Sequence, residues 1–240
     1  MRMSPMLAAI LLVGCASQPP AGAVTPTADA SPTVPPPSAP VSAAPFPYED
    51  VQDTRLAAGT YTLRFSSIGG VQAYPTLAMT FTVGAGWNKV LIDGLVWNDA
   101  GYRLGFSIVD NLYVDPCVPD QGLVTPPVGP SVTDLASAMS TVPGWELIEA
   151  DHDLYMGFPG IRLVLSVPDD MSSCPFEESR LAHTIGFPGF LTSIPGGEIE
   201  LWILSVEGTR LVVSASRGPG LSAAASGDLQ ATLDSIVIRP

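Results

Sequence analysis

The sequence predicts an α+β domain with a mainly antiparallel sheet and two principal helices, carried behind a signal segment and a proline-rich tether. Three observations predict this. Apolar–polar alternation recurs between Thr60 and Ser216 and marks half-buried strands. Only two segments, Ser131–Val142 and Leu221–Ile236, place apolar residues at helical spacing. Helices so few and so far apart cannot supply repeating βαβ crossovers, so the strands pair mainly as antiparallel neighbours.

The chain opens with Met1–Met6, which carry one charge, Arg2, and no acid. Leu7–Val13 then form an apolar run. It is far shorter than the ~20 residues a membrane-spanning helix needs, but it suits the core of a signal peptide. The run ends Leu12-Val13-Gly14-Cys15, and this resembles the lipobox of bacterial lipoproteins. The resemblance implies that the Cys15 thiol takes a diacylglyceryl group and that small Gly14 admits the peptidase. Leu12 is then the apolar anchor three positions upstream. Residues 1–14 would be removed, leaving a chain held to the outer, extracytoplasmic face of the cell membrane by acylated Cys15. Two or three acyl chains, at ~0.8 kcal/mol per buried methylene, anchor far more firmly than one myristoyl chain.

Residues 15–47 are the lipidated cysteine and a tether of Ala, Pro, Ser, Thr and Val. Ala16–Pro47 holds ten prolines, one acid (Asp29) and no base. Repeated proline removes backbone donors, so a disordered, semi-extended linker is expected.

Residues 48–240 then read as a single extracytoplasmic domain. In "TYTLRFSS" Tyr61, Leu63 and Phe65 share one face, and in "LAMTFTV" Leu77, Met79, Phe81 and Val83 do the same. "KVLIDGLVW", broken by an Asp93-Gly94 turn signal, and "YRLGFSIVDNLYV" supply further strands. In "SVTDLASAMSTV" Leu135, Met139 and Val142 recur at helical spacing, and Ser131 with Asp134 is shaped like a capping box. "GWELIEA", "GIRLVLSVP", "EIELWILSV" and "TRLVVSAS" follow as strands, the last two joined through Glu207-Gly208. "LSAAASGDLQATLDSI", with Ala225, Leu229 and Leu233 four apart, reads as the second helix, and Ile236–Arg239 as a closing strand.

Charge and composition exclude some partners. The formal net charge is −13, and Lys89 is the one lysine among 240 residues. Nucleic acid is excluded, because phosphate neutralisation needs clustered cations. With Cys15 acylated, Cys117 and Cys174 remain, each in a proline-containing loop, and an even pair in an exported chain reads as a disulfide. Metal ligation lacks a His or second Cys at ligand spacing near either one.

Catalytic signatures are missing: no G-x-S-x-G, S-x-x-K, H-E-x-x-H or phosphate-binding glycine loop occurs. His152, flanked by Asp151 and Asp153, is a candidate metal ligand or base, although the spacing predicts a solvated turn between strands. His183 reads as a structural loop residue. Asp169, Asp170, Glu177 and Glu178 form the densest carboxylate group but lack the ordered spacing of a calcium loop. Trp87, Trp97, Trp145 and Trp202 could line a sugar or ligand cleft. Trp87 and Trp145 stand at strand boundaries, where core or rim packing is the favoured reading. No cofactor is implied.

Over most of residues 55–240 the chain resembles a group of exported proteins and lipoproteins from high-GC Gram-positive bacteria. "MTFTVGAGW", "NLYVDPC", "PSVTDLASAM", "GFPGIRLVLSVPDD" and "LWILSVEGTRLVV" carry the likeness. That group has no assigned activity, so the resemblance supplies no catalytic residues. More distantly, the strand-then-Trp start and the ending "DLQATLDSIVI" resemble the PsbP-like sandwich, from which the Cys-closed insert departs. That resemblance implies a binding or assembly factor. The expectation is a non-enzymatic module that binds a small ligand or an envelope protein. An envelope hydrolase with a dispersed carboxylate or Ser/His site is the alternative.

Overall fold

Alternation along the strands splits the apolar residues into two sets, and two cores form on opposite faces of one large sheet. The structure, a computed structural model, describes residues 44–52, 54–65, 76–90, 94, 96–172, 174, 179–185, 193–221 and 223–240. The signal segment, Cys15, the tether up to residue 43, Asp93, Glu177 and Glu178 lie outside the described residues. Among the described residues the fold is mixed α+β, mostly sheet, with two α-helices. Among the described residues no helix is long and apolar enough to cross a membrane.

The smaller sheet has the order β1 (Phe46–Pro47), β2 (Gly59–Arg64), β3 (Ala78–Val83), β12 (Val237–Arg239), with β1 parallel to β2 and the rest antiparallel. The sequence reading started the domain at Tyr48. The pairing of Phe46 with Tyr61 starts it earlier, because Pro47 needs no ladder donor at a sheet edge. The sole lysine holds this entry segment. Lys89 Nζ donates to Tyr48 O at 2.9 Å and Val51 O at 3.0 Å, and lies 4.6 Å from the Tyr48 ring centre.

The larger sheet runs β4 (Trp87–Lys89), β5 (Val96–Asn98), β6 (Tyr102–Leu112), β11 (Thr209–Arg217), β10 (Glu198–Val206), β8 (Phe158–Ser166), β7 (Glu146–Tyr155). Short β9 (Ala182–Thr184) also pairs with β6. All these pairs are antiparallel. Trp202, Leu204, Leu211, Val213 and Phe106 face the smaller sheet, where Phe81 meets Phe106 at 5.0 Å between ring centres. Leu201, Ile203, Val212, Leu163 and Leu165 face the other way. Being covered on both faces makes "ELWILSV" a nearly unbroken apolar run.

Helix α1 (Val132–Met139) closes the second core with Leu135, Ala136 and Met139. Its capping box is complete: the Ser131 hydroxyl accepts from Asp134 N at 3.0 Å, and Asp134 accepts from Ser131 N at 3.0 Å. Hydrogen bonds from Ser131 hold the Asp134 carboxyl below the usual carboxylate range, with Arg210 adding a smaller pull. Beside this core Cys117 and Cys174 stand at disulfide distance, with 4.2 Å between their Cα atoms. Helix α2 (Ala223–Asp234) adds Leu229 and Leu233 to the first core.

Two tight hairpins set register. Glu207-Gly208 joins β10 to β11 with φ of 47° and 82°, at the turn the sequence predicts. Met156-Gly157 joins β7 to β8 with φ of 54° and 88°. This second turn corrects the reading of "ADHDLY" as a loop. Positive φ is taken up at Met156-Gly157, so Asp151, His152 and Asp153 belong to the strand.

Candidate functional site

The strand assignment disperses the site candidates. Neighbouring residues on a strand point to opposite faces, so His152 projects away from Asp151 and Asp153. Trp87 is 1% exposed, inside the first core and edge-on to Tyr102 at 5.2 Å. Trp145 packs against the second core. The five candidates therefore do not converge. Among the described residues no group of three or more His, Cys, Asp or Glu gathers at metal-holding distance.

Asp151 instead joins a charged cluster. Arg162 on β8 lies 3.1 Å from Glu149 and 3.5 Å from Asp151, and its Nε donates to Glu200 Oε1. Arg217 Nη2 donates to Glu200 Oε2 at 2.8 Å. Burial alone would lower the Arg162 pKa, but its bonds to Glu200 and Glu149 more than reverse this and raise it. Arg162 therefore keeps its proton and serves as a fixed positive charge.

His183 is paired too. Its Nδ1 lies 2.6 Å from Asp110 Oδ1, with both side chains partly exposed and the Tyr113 ring edge-on at 6.3 Å. The loop reading of His183 is corrected: it stands in β9, opposite Asn111 of β6. The sequence signal for this pair was weak, since Asp110 and His183 are 73 positions apart.

A cleft among the described residues is built around Trp97. On β5, Val96 is buried and Asn98 nearly so, which turns Trp97 outward at 44% exposure. Arg103, opposite it on β6, places its guanidinium 5.7 Å from the indole centre. The Asn98–Gly101 turn forms one wall. Asn98 Oδ1 accepts from Ala100 N at 2.8 Å, and Asp99 accepts from Arg55 and Asn88, each at 2.8 Å. Ile194, before β10, also lines it. The cleft encloses about 450 Å³ and is bordered mostly by apolar surface. Tyr102 contributes to its lining; burial first, and Asp228 second, push its phenol up to about 12, so it stays protonated. An exposed aromatic platform beside a cation, a carboxylate and an amide can hold a ring-shaped polar ligand.

No family model matches the chain. None of the curated proteins searched matches it either. Among solved structures, it is similar to the solution structure of cyanobacterial PsbP (CyanoP) from Synechocystis sp. PCC 6803. The TM-score is 0.35 at 15% identity, over 76% of this chain and 94% of that chain.

Proposed function

We propose that the chain is a lipid-anchored, extracytoplasmic binding module whose Trp97 cleft takes a polyhydroxylated ring, such as a sugar unit of an envelope glycan. The observation that carries this reading is the half-exposed Trp97 indole beside Arg103 in a cleft of about 450 Å³. An uncovered indole leaves apolar surface in water, and the C–H face of a sugar covers it at little dehydration cost. Arg103 and Asp99 border the same space and would meet the hydroxyls. The volume falls in the usual range for a small-molecule site. The Leu12–Cys15 box and the tether support a place on the outer membrane face, where such glycans are met. Soluble envelope oligosaccharides titrated against the full chain should shift its tryptophan fluorescence saturably. A flat response across neutral, acidic and amino sugars would reject the sugar assignment.

The His183–Asp110 contact favours the second reading, an envelope hydrolase, since a carboxylate on Nδ1 fixes the orientation and tautomer of an imidazole. Turnover of a glycan or ester that His183→Gln abolishes would move the assignment there.

A further inference from the structure

We propose that the outer edge of β7 receives an extended strand of a partner protein, carrying arginine or lysine at alternate positions. This site is separate from the Trp97 cleft. β7 is the last strand of the larger sheet, and among the described residues nothing pairs with its outer side. The tight hairpin fixes which groups are free. Tyr155–Phe158 is the first hydrogen-bonded pair, so Asp153, Asp151 and Glu149 bond inward to β8, while Leu154, His152 and Ala150 turn their N–H and C=O outward. Among the described residues the Leu154 N–H is met by the carboxylate of its neighbour Asp153, at 2.7 Å, a stopgap that an incoming carbonyl would replace.

A long, open edge is ordinarily hidden or blunted. Three acids and the bulge between Leu147 and Glu149 blunt this edge against most strands, yet it is exposed along nearly its whole length, with Leu154 67% and Ile148 53% exposed. Charge identifies the occupant. Glu149, Asp151 and Asp153 share one face, where Arg162 is the nearby cation and is divided between Glu149, Asp151 and Glu200, so acids outnumber it there. A second copy does not fit. Residues opposite one another in an antiparallel pair lie on one face, so every register centred on this stretch sets Asp151 against Glu149, Asp151 or Asp153 of the other copy. The chain's own tether does not fit either, because Ala16–Pro47 has no cation and ten prolines without N–H groups. A strand with basic residues over the acids and apolar residues over Ala150 and Leu154 satisfies both faces and the backbone together.

The test uses the full chain in detergent micelles and a capped peptide of alternating arginine and valine. Hydrogen exchange should slow on peptide binding at Ala150, His152 and Leu154 and not at the opposite edge. His152→Pro removes one outward donor and no ladder bond, so it should weaken binding about tenfold with thermal stability nearly unchanged. Asp153→Lys should weaken it further and flatten its salt dependence, because an attractive charge pair is lost. The same peptide N-methylated at its pairing positions keeps its charge but cannot add a strand. Equal binding by the methylated peptide, protection elsewhere than β7, or a β7-mediated dimer in place of peptide binding would each overturn the proposal.

Discussion

Arg217 reaches across from β11 to Glu200 on β10, its Nη2 donating to Oε2 at 2.8 Å, while the other carboxylate oxygen takes Arg162. Glu200 is 7% exposed, so it is a buried anion held between two cations. Glu200→Ala removes the partner the two arginines share, takes the 2.8 Å bond from Arg217, and leaves Arg162 to Glu149 and Asp151. Both cations retain some solvent access, 22% and 33% of their side chains, which softens the cost. A loss of about 2–3 kcal/mol in urea unfolding is expected. A change within error would show the cluster to be ornamental to stability.

Ser131→Ala should cost about 1 kcal/mol by removing the cap of α1. It should also release the Asp134 carboxyl upward toward its ordinary value, because Ser131 supplies the main hydrogen bonds that lower it. The sign follows directly. A depressed folded-state pKa gives stability that is present above the unfolded carboxylate pKa and is lost as pH falls through the folded value. The wild-type chain should therefore lose more stability than Ser131→Ala on acidification. Carboxyl NMR titration of Asp134 is the check, and an unchanged midpoint in the variant would contradict it.

Much of the fold was legible in the sequence because alternation is enforced by burial. Tyr61, Leu63, Met79 and Phe81 had one face to hide, and hid it. The Ser131–Asp134 cap was legible because it is local. What escaped reading depends on distant partners. β9 and the His183–Asp110 contact exist only once β6 lies beside them. The turn at Met156-Gly157 was missed because methionine is an unusual residue at positive φ, and the polar "DHD" offered a more conventional loop. Trp97 could have been found by continuing the alternation through "LVWN", which puts Val96 in and Trp97 out. Glu200 was also visible as one acid inside an apolar run, but its two arginine partners were not.

Cys117 and Cys174 enclose α1, β7 and β8, with a sequence separation of 57. Closing a loop of that length should stabilise the folded chain by up to roughly 4 kcal/mol in the chain-entropy model. Non-reducing peptide mapping should recover the two loops joined, and reduction should lower the unfolding midpoint. Two alkylatable thiols in chain exported to an oxidising compartment would contradict the pairing.

For the anchor, Cys15→Ser should abolish incorporation of a fatty-acid analogue, since it removes the acceptor thiol of the Leu12–Cys15 box. Label persisting on the variant would remove the lipid attachment from the account.

The most direct test of the binding assignment is the affinity of Trp97→Ala for whichever envelope oligosaccharide the intact chain takes, measured calorimetrically beside Trp145→Phe. Trp97 stands outside both cores, so its replacement should leave the unfolding midpoint nearly unchanged. Affinity should nevertheless fall at least about tenfold, the equivalent of ~1.4 kcal/mol of lost stacking. Trp145→Phe should bind as the intact chain does. Equal binding by Trp97→Ala, with its fold intact, would contradict the assignment of this cleft.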